Sequence, residues 1–142
     1  GSTYYSALRC NDGAYLIARA VQFFAPGIPQ VYYVGLLAGE NDIESMKTNP
    51  DPRTINRHTF SREELEESIR KPICQRLYEL MRFRNTYDAF NGDIQVGQDD
   101  EDGMLTITWT KEDLRTTLRA NFKTLTYSIT YFDRESGQER TL

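Results

Sequence analysis

The sequence predicts an α/β chain in two parts: the end of a repeating helix–strand fold over residues 1–90, then a small antiparallel β domain over residues 91–142. Three observations predict it. One unbroken run of β-formers, Val31-Tyr32-Tyr33-Val34, sits between helical segments, as a parallel strand covered on both faces does. After Asn91-Gly92 the apolar period drops from helical to two. Hydrophobic residues make up 39% of the 142, enough to close a core and to exclude wholesale disorder.

The elements follow in chain order. Asn11-Asp12 offers a helix N-cap, Ala14, Ile17, Ala18, Val21 and Phe24 recur at helical spacing, and Pro26-Gly27 ends that helix. The run Ile28–Gly35 reads as the strand. Periodicity alone does not separate it from a buried helical segment, but its shortness and the closing Gly35 favour a strand, with Tyr32 and Tyr33 in its core. Gly35–Phe60 is rich in Gly, Asn, Asp and Pro and reads as a long functional loop with a helical turn near Ile43–Met46. Ser61-Arg62-Glu63-Glu64 is a capping box that opens a short helix. Pro72 stops that helix and starts another, with Ile73, Leu77, Leu80 and Met81 as its apolar stripe, ending near Asn85.

Three strands follow in the second part. Leu105, Ile107 and Trp109 alternate with threonines. Thr116, Leu118, Ala120 and Phe122 form a second inward row, and Leu125, Tyr127, Ile129 and Tyr131 a third. Gly103, Lys111–Asp113 and Ser136-Gly137 mark turns. A lone parallel strand cannot satisfy its own backbone groups, so residues 1–90 are expected to need partner strands encoded elsewhere.

Composition excludes several classes. Net charge is −4 and no basic face is evident, so no nucleic-acid partner is expected. No apolar run nears the roughly 18 residues of a membrane span, and no signal peptide opens the chain, so a cytoplasmic, membrane-free protein is expected. Two cysteines, Cys10 and Cys74, both in helix-like segments, do not make a disulfide scaffold, although one bridge stays open. There is no CxxC, HExxH or phosphate-cradling glycine loop, so no cofactor and no metal are expected.

Several blocks together carry a resemblance. Ser2-Thr3-Tyr4-Tyr5-Ser6-Ala7-Leu8, the stretch from Ala18 through Pro26-Gly27-Ile28-Pro29-Gln30-Val31-Tyr32-Tyr33-Val34-Gly35, Leu37–Asp42 and Ile55-Asn56-Arg57-His58 resemble, in order and at similar spacing, the sucrose phosphorylases of glycoside hydrolase family 13. The likeness is strong over residues 2–60, fair over 61–92 and weak beyond. It implies the C-terminal fragment of a (β/α)8 TIM barrel, its last helix-strand-helix units, followed by the antiparallel β domain. It implies retaining transfer of glucose from sucrose to inorganic phosphate through a carboxylate pair, giving α-glucose 1-phosphate and fructose. Phosphorylases of sucrose 6′-phosphate or glucosylglycerate, an α-glucoside hydrolase and a non-catalytic β module are the alternatives.

In that family the catalytic carboxylates precede the region this chain matches. No catalytic residue therefore maps here, the chain alone is expected to be inactive, and its partner is the remaining N-terminal barrel portion; a homodimer is among the expectations. By the same resemblance Arg57 reaches the glucosyl pocket, where a guanidinium offers a fixed fork of donors; the competing role is a structural ion pair. His58, the sole histidine, is a supporting substrate-site residue by resemblance and a packing residue without it. Around Arg53 the family's usual Gly and Asp neighbours are replaced by Pro52 and Thr54, which bears on acceptor choice. Glu40, Asp42 and Glu44 read as a solvated loop with an N-cap at Asp42, and Asp99–Gly103 as a charged hairpin turn rather than a calcium loop.

Overall fold

In the computed structural model, which describes residues 1–142, the order is α1 (Tyr4–Ala7), α2 (Asp12–Phe24), α3 (Tyr33–Leu36), α4 (Ile43–Thr48), α5 (Arg62–Arg70), α6 (Pro72–Thr86), then β1 (Asp93–Asp99), β2 (Met104–Lys111), β3 (Leu114–Asn121), β4 (Thr126–Asp133) and β5 (Gln138–Thr141). The chain divides into two compact units: residues 1–16 with 30–79, and residues 17–29 with 80–142.

The helix boundaries follow their caps. The Asn11 side chain accepts from the Ala14 N–H at 2.9 Å, closing the start of α2, and Ser61 Oγ accepts from the Glu64 N–H at 3.1 Å at the start of α5. Pro72 opens α6, where its missing N–H costs nothing. On α6, Ile73, Cys74, Leu77 and Leu80 are buried, while Met81 is half-buried.

The predicted strand is not one. Ile28–Tyr32 forms no strand, Tyr32 is extended with φ of −72° and ψ of 149°, and the backbone turns into α3 at Tyr33. All five strands of the chain lie in another sheet, so nothing here offers this segment a ladder. Ile28 is 91% exposed, and Tyr32 and Tyr33, expected in a core, are exposed as well; only Val34 is buried. Cys10, expected in a helix, stands in a turn with φ of 54°, next to Arg9 at 57°. Both cysteines are free.

The second unit is a five-stranded antiparallel meander in the order β1-β2-β3-β4-β5. β1 and β5 are additions to the three strands that the alternation marks. The register sets Ile107 opposite Leu118 and Leu118 opposite Ile129, so three inward side chains stack across the central strands. Trp109, Leu114, Ala120 and Phe90 join them in the core. Thr108 and Thr117, on the opposite face, are also buried and share a hydroxyl hydrogen bond of 3.0 Å. Phe122 and Leu125, expected inward, are exposed because they flank the β3–β4 turn, where Leu125 takes φ of 54°.

Two aromatic groups seal this unit. The Trp109 indole N–H donates to the Phe24 carbonyl at 2.8 Å. The Arg84 guanidinium lies 4.5 Å above the Phe90 ring and 5.6 Å from the Trp109 ring, and donates to the Gly27 carbonyl at 2.9 Å. Tyr87 stacks on Phe83, and its hydroxyl donates to the Phe132 carbonyl at 2.7 Å.

Candidate functional site

The site lies in the first unit, in the loop between α3 and α5. Three ties shape that loop. Tyr15, fully buried, donates its hydroxyl to the Gly35 carbonyl and holds the end of α3. Asn41 accepts from the Thr3 N–H at 2.7 Å while its own N–H donates to Ser6 Oγ at 2.9 Å, pinning the loop to α1. The Asp42 N–H donates to the Ile55 carbonyl at 2.8 Å, closing the loop on itself.

Gly39 is required by a close approach. Its N–H meets the Val34 carbonyl at 2.6 Å, and a methyl group there would stand 2.5 Å from Val34 Cγ1 and 2.9 Å from Val34 O. The chain therefore doubles back tightly after α3 and delivers Glu40, Asn41 and Asp42 to the rim of a cleft of about 460 Å³. His58, Phe60, Glu64 and Lys71 also line it. His58 and Phe60 line a second cleft of about 410 Å³ as well, together with Tyr33, Leu65 and Tyr78.

The chemistry converges on His58. Its Nδ1 lies 3.0 Å from Asp42 Oδ2 and its Nε2 lies 2.7 Å from Glu64 Oε2. Its ring stands edge-on to Phe60, with centroids 4.6 Å apart. Its carbonyl accepts from the Tyr33 hydroxyl at 2.9 Å. The hydrogen bonds to Glu64 and then Asp42 raise the His58 pKa above its ordinary 6.5. Asp42 is the N-cap of α4, as expected. It accepts from the Ser45 N–H at 3.0 Å and the Ser45 hydroxyl at 2.7 Å, and these with His58 hold its carboxyl down at about 2. Glu64 is held below its ordinary value, first by His58 and then, less strongly, by Ser61.

Arg57, one residue earlier, closes a 3-10 turn over Thr54–Asn56 and is exposed. Its guanidinium makes no hydrogen bond or ion pair within this chain, so it is not the loop's structural ion pair; its charge acts on the Tyr33 phenol. The two sequence-predicted residues are thus neighbours in different states, His58 clamped and Arg57 free. No pattern in the sequence assigns Asp42 and Glu64 to His58 as partners. Only the capping box placed Glu64 in a first helical turn, and nothing in the spacing links residues 42 and 58. The Asp99–Gly103 run forms the β1–β2 turn, with Asp99 accepting from the N–H groups of Glu101 and Asp102. Glu40 and Glu44 stay at the loop surface.

No family model matches the chain. Known proteins do. A sucrose 6(F)-phosphate phosphorylase of Thermoanaerobacterium thermosaccharolyticum is 53% identical over 137 residues, 96% of this chain and 28% of the relative. A glucosylglycerol phosphorylase of Marinobacter adhaerens is 46% identical over 140 residues, 99% of this chain and 29% of the relative. A sucrose phosphorylase of Bifidobacterium adolescentis is 50% identical over 117 residues, 82% of this chain and 23% of the relative. The crystal structure of the sucrose 6F-phosphate phosphorylase from Thermoanaerobacter thermosaccharolyticum superposes with a TM-score of 0.94 at 50% identity, covering 99% of this chain and 28% of that one. The chain thus spans under a third of the length of the curated relatives it matches, in their C-terminal portion.

Proposed function

We infer from this chain's membership of the sucrose-phosphorylase-like family, as a counterpart of its C-terminal portion, that it serves within a longer enzyme transferring glucose from sucrose to inorganic phosphate. The products are α-glucose 1-phosphate and fructose. The observation that carries this reading is the likeness of nearly the whole chain to named phosphorylases. In this reading residues 1–90 complete a (β/α)8 barrel and residues 91–142 form the appended β domain. Ile28–Tyr32 takes its place as a barrel strand once neighbours flank it; its run of β-formers and the exposed Ile28 and Tyr32 support this.

The loop after that strand then faces substrate, since barrel sites form at the carboxyl ends of strands. Arg57 contributes its fork of donors to the glucosyl hydroxyls or to a carboxylate of the remaining barrel; its unengaged guanidinium supports the assignment. The carboxylates that attack and protonate belong to the rest of the polypeptide, so this chain by itself turns over no sugar. A cytoplasmic, homodimeric enzyme completes the proposal.

A second reading takes sucrose 6F-phosphate as the donor, because a phosphorylase named for that substrate matches in both sequence and superposition. The test is to give the full-length protein phosphate with sucrose and, separately, with sucrose 6F-phosphate. Formation of α-glucose 1-phosphate from sucrose supports the first reading, and formation from the phosphorylated sugar alone supports the second. Release of free glucose only, with no sugar phosphate, would make the enzyme a hydrolase and end both.

A further inference from the structure

We propose that His58 is a positioning residue that works as an imidazolium, bridging Asp42 and Glu64 and so tying the turn that carries Arg57 to the first turn of α5. The geometry requires the charge. Each ring nitrogen faces a carboxylate oxygen, at 3.0 and 2.7 Å, and a carboxylate only accepts. A neutral imidazole has one N–H and one lone pair, so one of the two contacts must become lone pair against lone pair. Only the doubly protonated ring satisfies both.

The bridge joins elements that the chain keeps apart. Asp42 is fixed by Ser45 at the start of α4, Glu64 by its place in the capped first turn of α5, and Arg57 precedes His58 directly. The His58 carbonyl is held in addition by the Tyr33 hydroxyl. The surrounding charge favours the protonated ring. Glu40, Glu44 and Glu67 share the cleft with Asp42 and Glu64, against Lys71 in the cleft and the neighbouring Arg57.

The sign is fixed by linkage. His58 titrates above its ordinary value, so its contribution is complete below pH 6.5 and is lost as pH rises through the raised midpoint. Asp42 and Glu64 titrate below their ordinary 3.8 and 4.5, so their side of the bridge is complete above those values and is lost only in stronger acid. The tie therefore holds in weak acid and loosens as pH rises through a midpoint above 6.5. Its meaning for catalysis, the presentation of Arg57, rests on the proposed function; its existence does not.

The ring signal of His58 is assigned in the full-length protein by its loss in His58→Gln. Nitrogen NMR of that ring, followed across pH, is expected to show both nitrogens protonated at pH 6 and a midpoint above 6.5. Asp42→Asn and Glu64→Gln are each expected to lower that midpoint by about half a pH unit or more. Amide-exchange protection at Arg57 and Asp42, corrected for intrinsic rates, is expected to fall severalfold through the midpoint, and His58→Gln to abolish that dependence. A wild-type midpoint at or below 6.5, a midpoint unmoved in both carboxamide variants, or the same protection profile in His58→Gln would overturn the proposal. If His58→Gln does not fold, the two carboxamide titrations decide. A bridge found intact in a protein that makes no sugar phosphate would sink the functional reading and leave this one standing.

Discussion

The sheet of residues 93–141 and the loop-rich stretch of residues 28–60 are built from similar side chains and reach opposite outcomes. In the sheet, segments of Thr, Ile, Leu and aromatic residues pair with neighbours from the same chain, and Leu118 is 0% exposed between Ile107 and Ile129. In the stretch around Val31, equally strong β-formers form no strand, and Tyr32 is 55% exposed. The difference teaches that β-propensity describes a side chain's fit to a half-buried surface and does not supply the surface. A strand is a property of a pair.

That contrast can be broken most forcefully at its ends. Leu118→Ala removes a fully buried side chain from the centre of the sheet and is expected to cost about 2–5 kcal/mol in denaturant-induced unfolding of this chain. Ile28→Ala, at a site 91% exposed, is expected to change the same measurement by less than about 0.5 kcal/mol. Comparable losses at the two positions would show that the segment around Ile28 is packed in solution.

The next test lies inside the loop. Gly39→Ala drives a methyl group into the Val34 carbonyl and side chain and is expected to destabilise the first unit by about 1–3 kcal/mol, read by hydrogen exchange at residues 33–42. Ser61→Ala removes the N-cap of α5 and is expected to cost about 1 kcal/mol, read by helix content on thermal melting. The smallest effect is in pH. As pH rises through the His58 midpoint above 6.5, protection of residues 42–58 is expected to decline as His58 loses its proton. The sheet, which contains no histidine, is expected to stay constant over the same range. Equal decline in both regions would erase the distinction.

How much of this was legible beforehand follows the same divide. The ends of α2, α5 and α6 were readable because Asn11, Ser61 and Pro72 act on their own immediate neighbours. The central strands were readable because one buried face imposes alternation. β1 and β5 were not: as edges they pair on one side only, and most of their residues are exposed, so no apolar rhythm marks them. Residues 28–35 carry β-formers yet form no strand and turn into α3 at Tyr33, because propensity does not supply a neighbouring strand. At the site, Asp42 as an N-cap was local and legible. Its meeting with His58, sixteen residues on, depended on Gly39, Asn41 and the Ile55 carbonyl folding the loop back, none of which leaves a periodic trace.

Trp109 is the only tryptophan in the chain, and its indole is buried, hydrogen-bonded to the Phe24 carbonyl and flanked by the Arg84 cation. Its emission therefore reports on the second unit, to which Phe24 and Arg84 belong. A fluorescence melt would record the sheet letting go while the loop that carries Arg57 and His58 came apart in the dark.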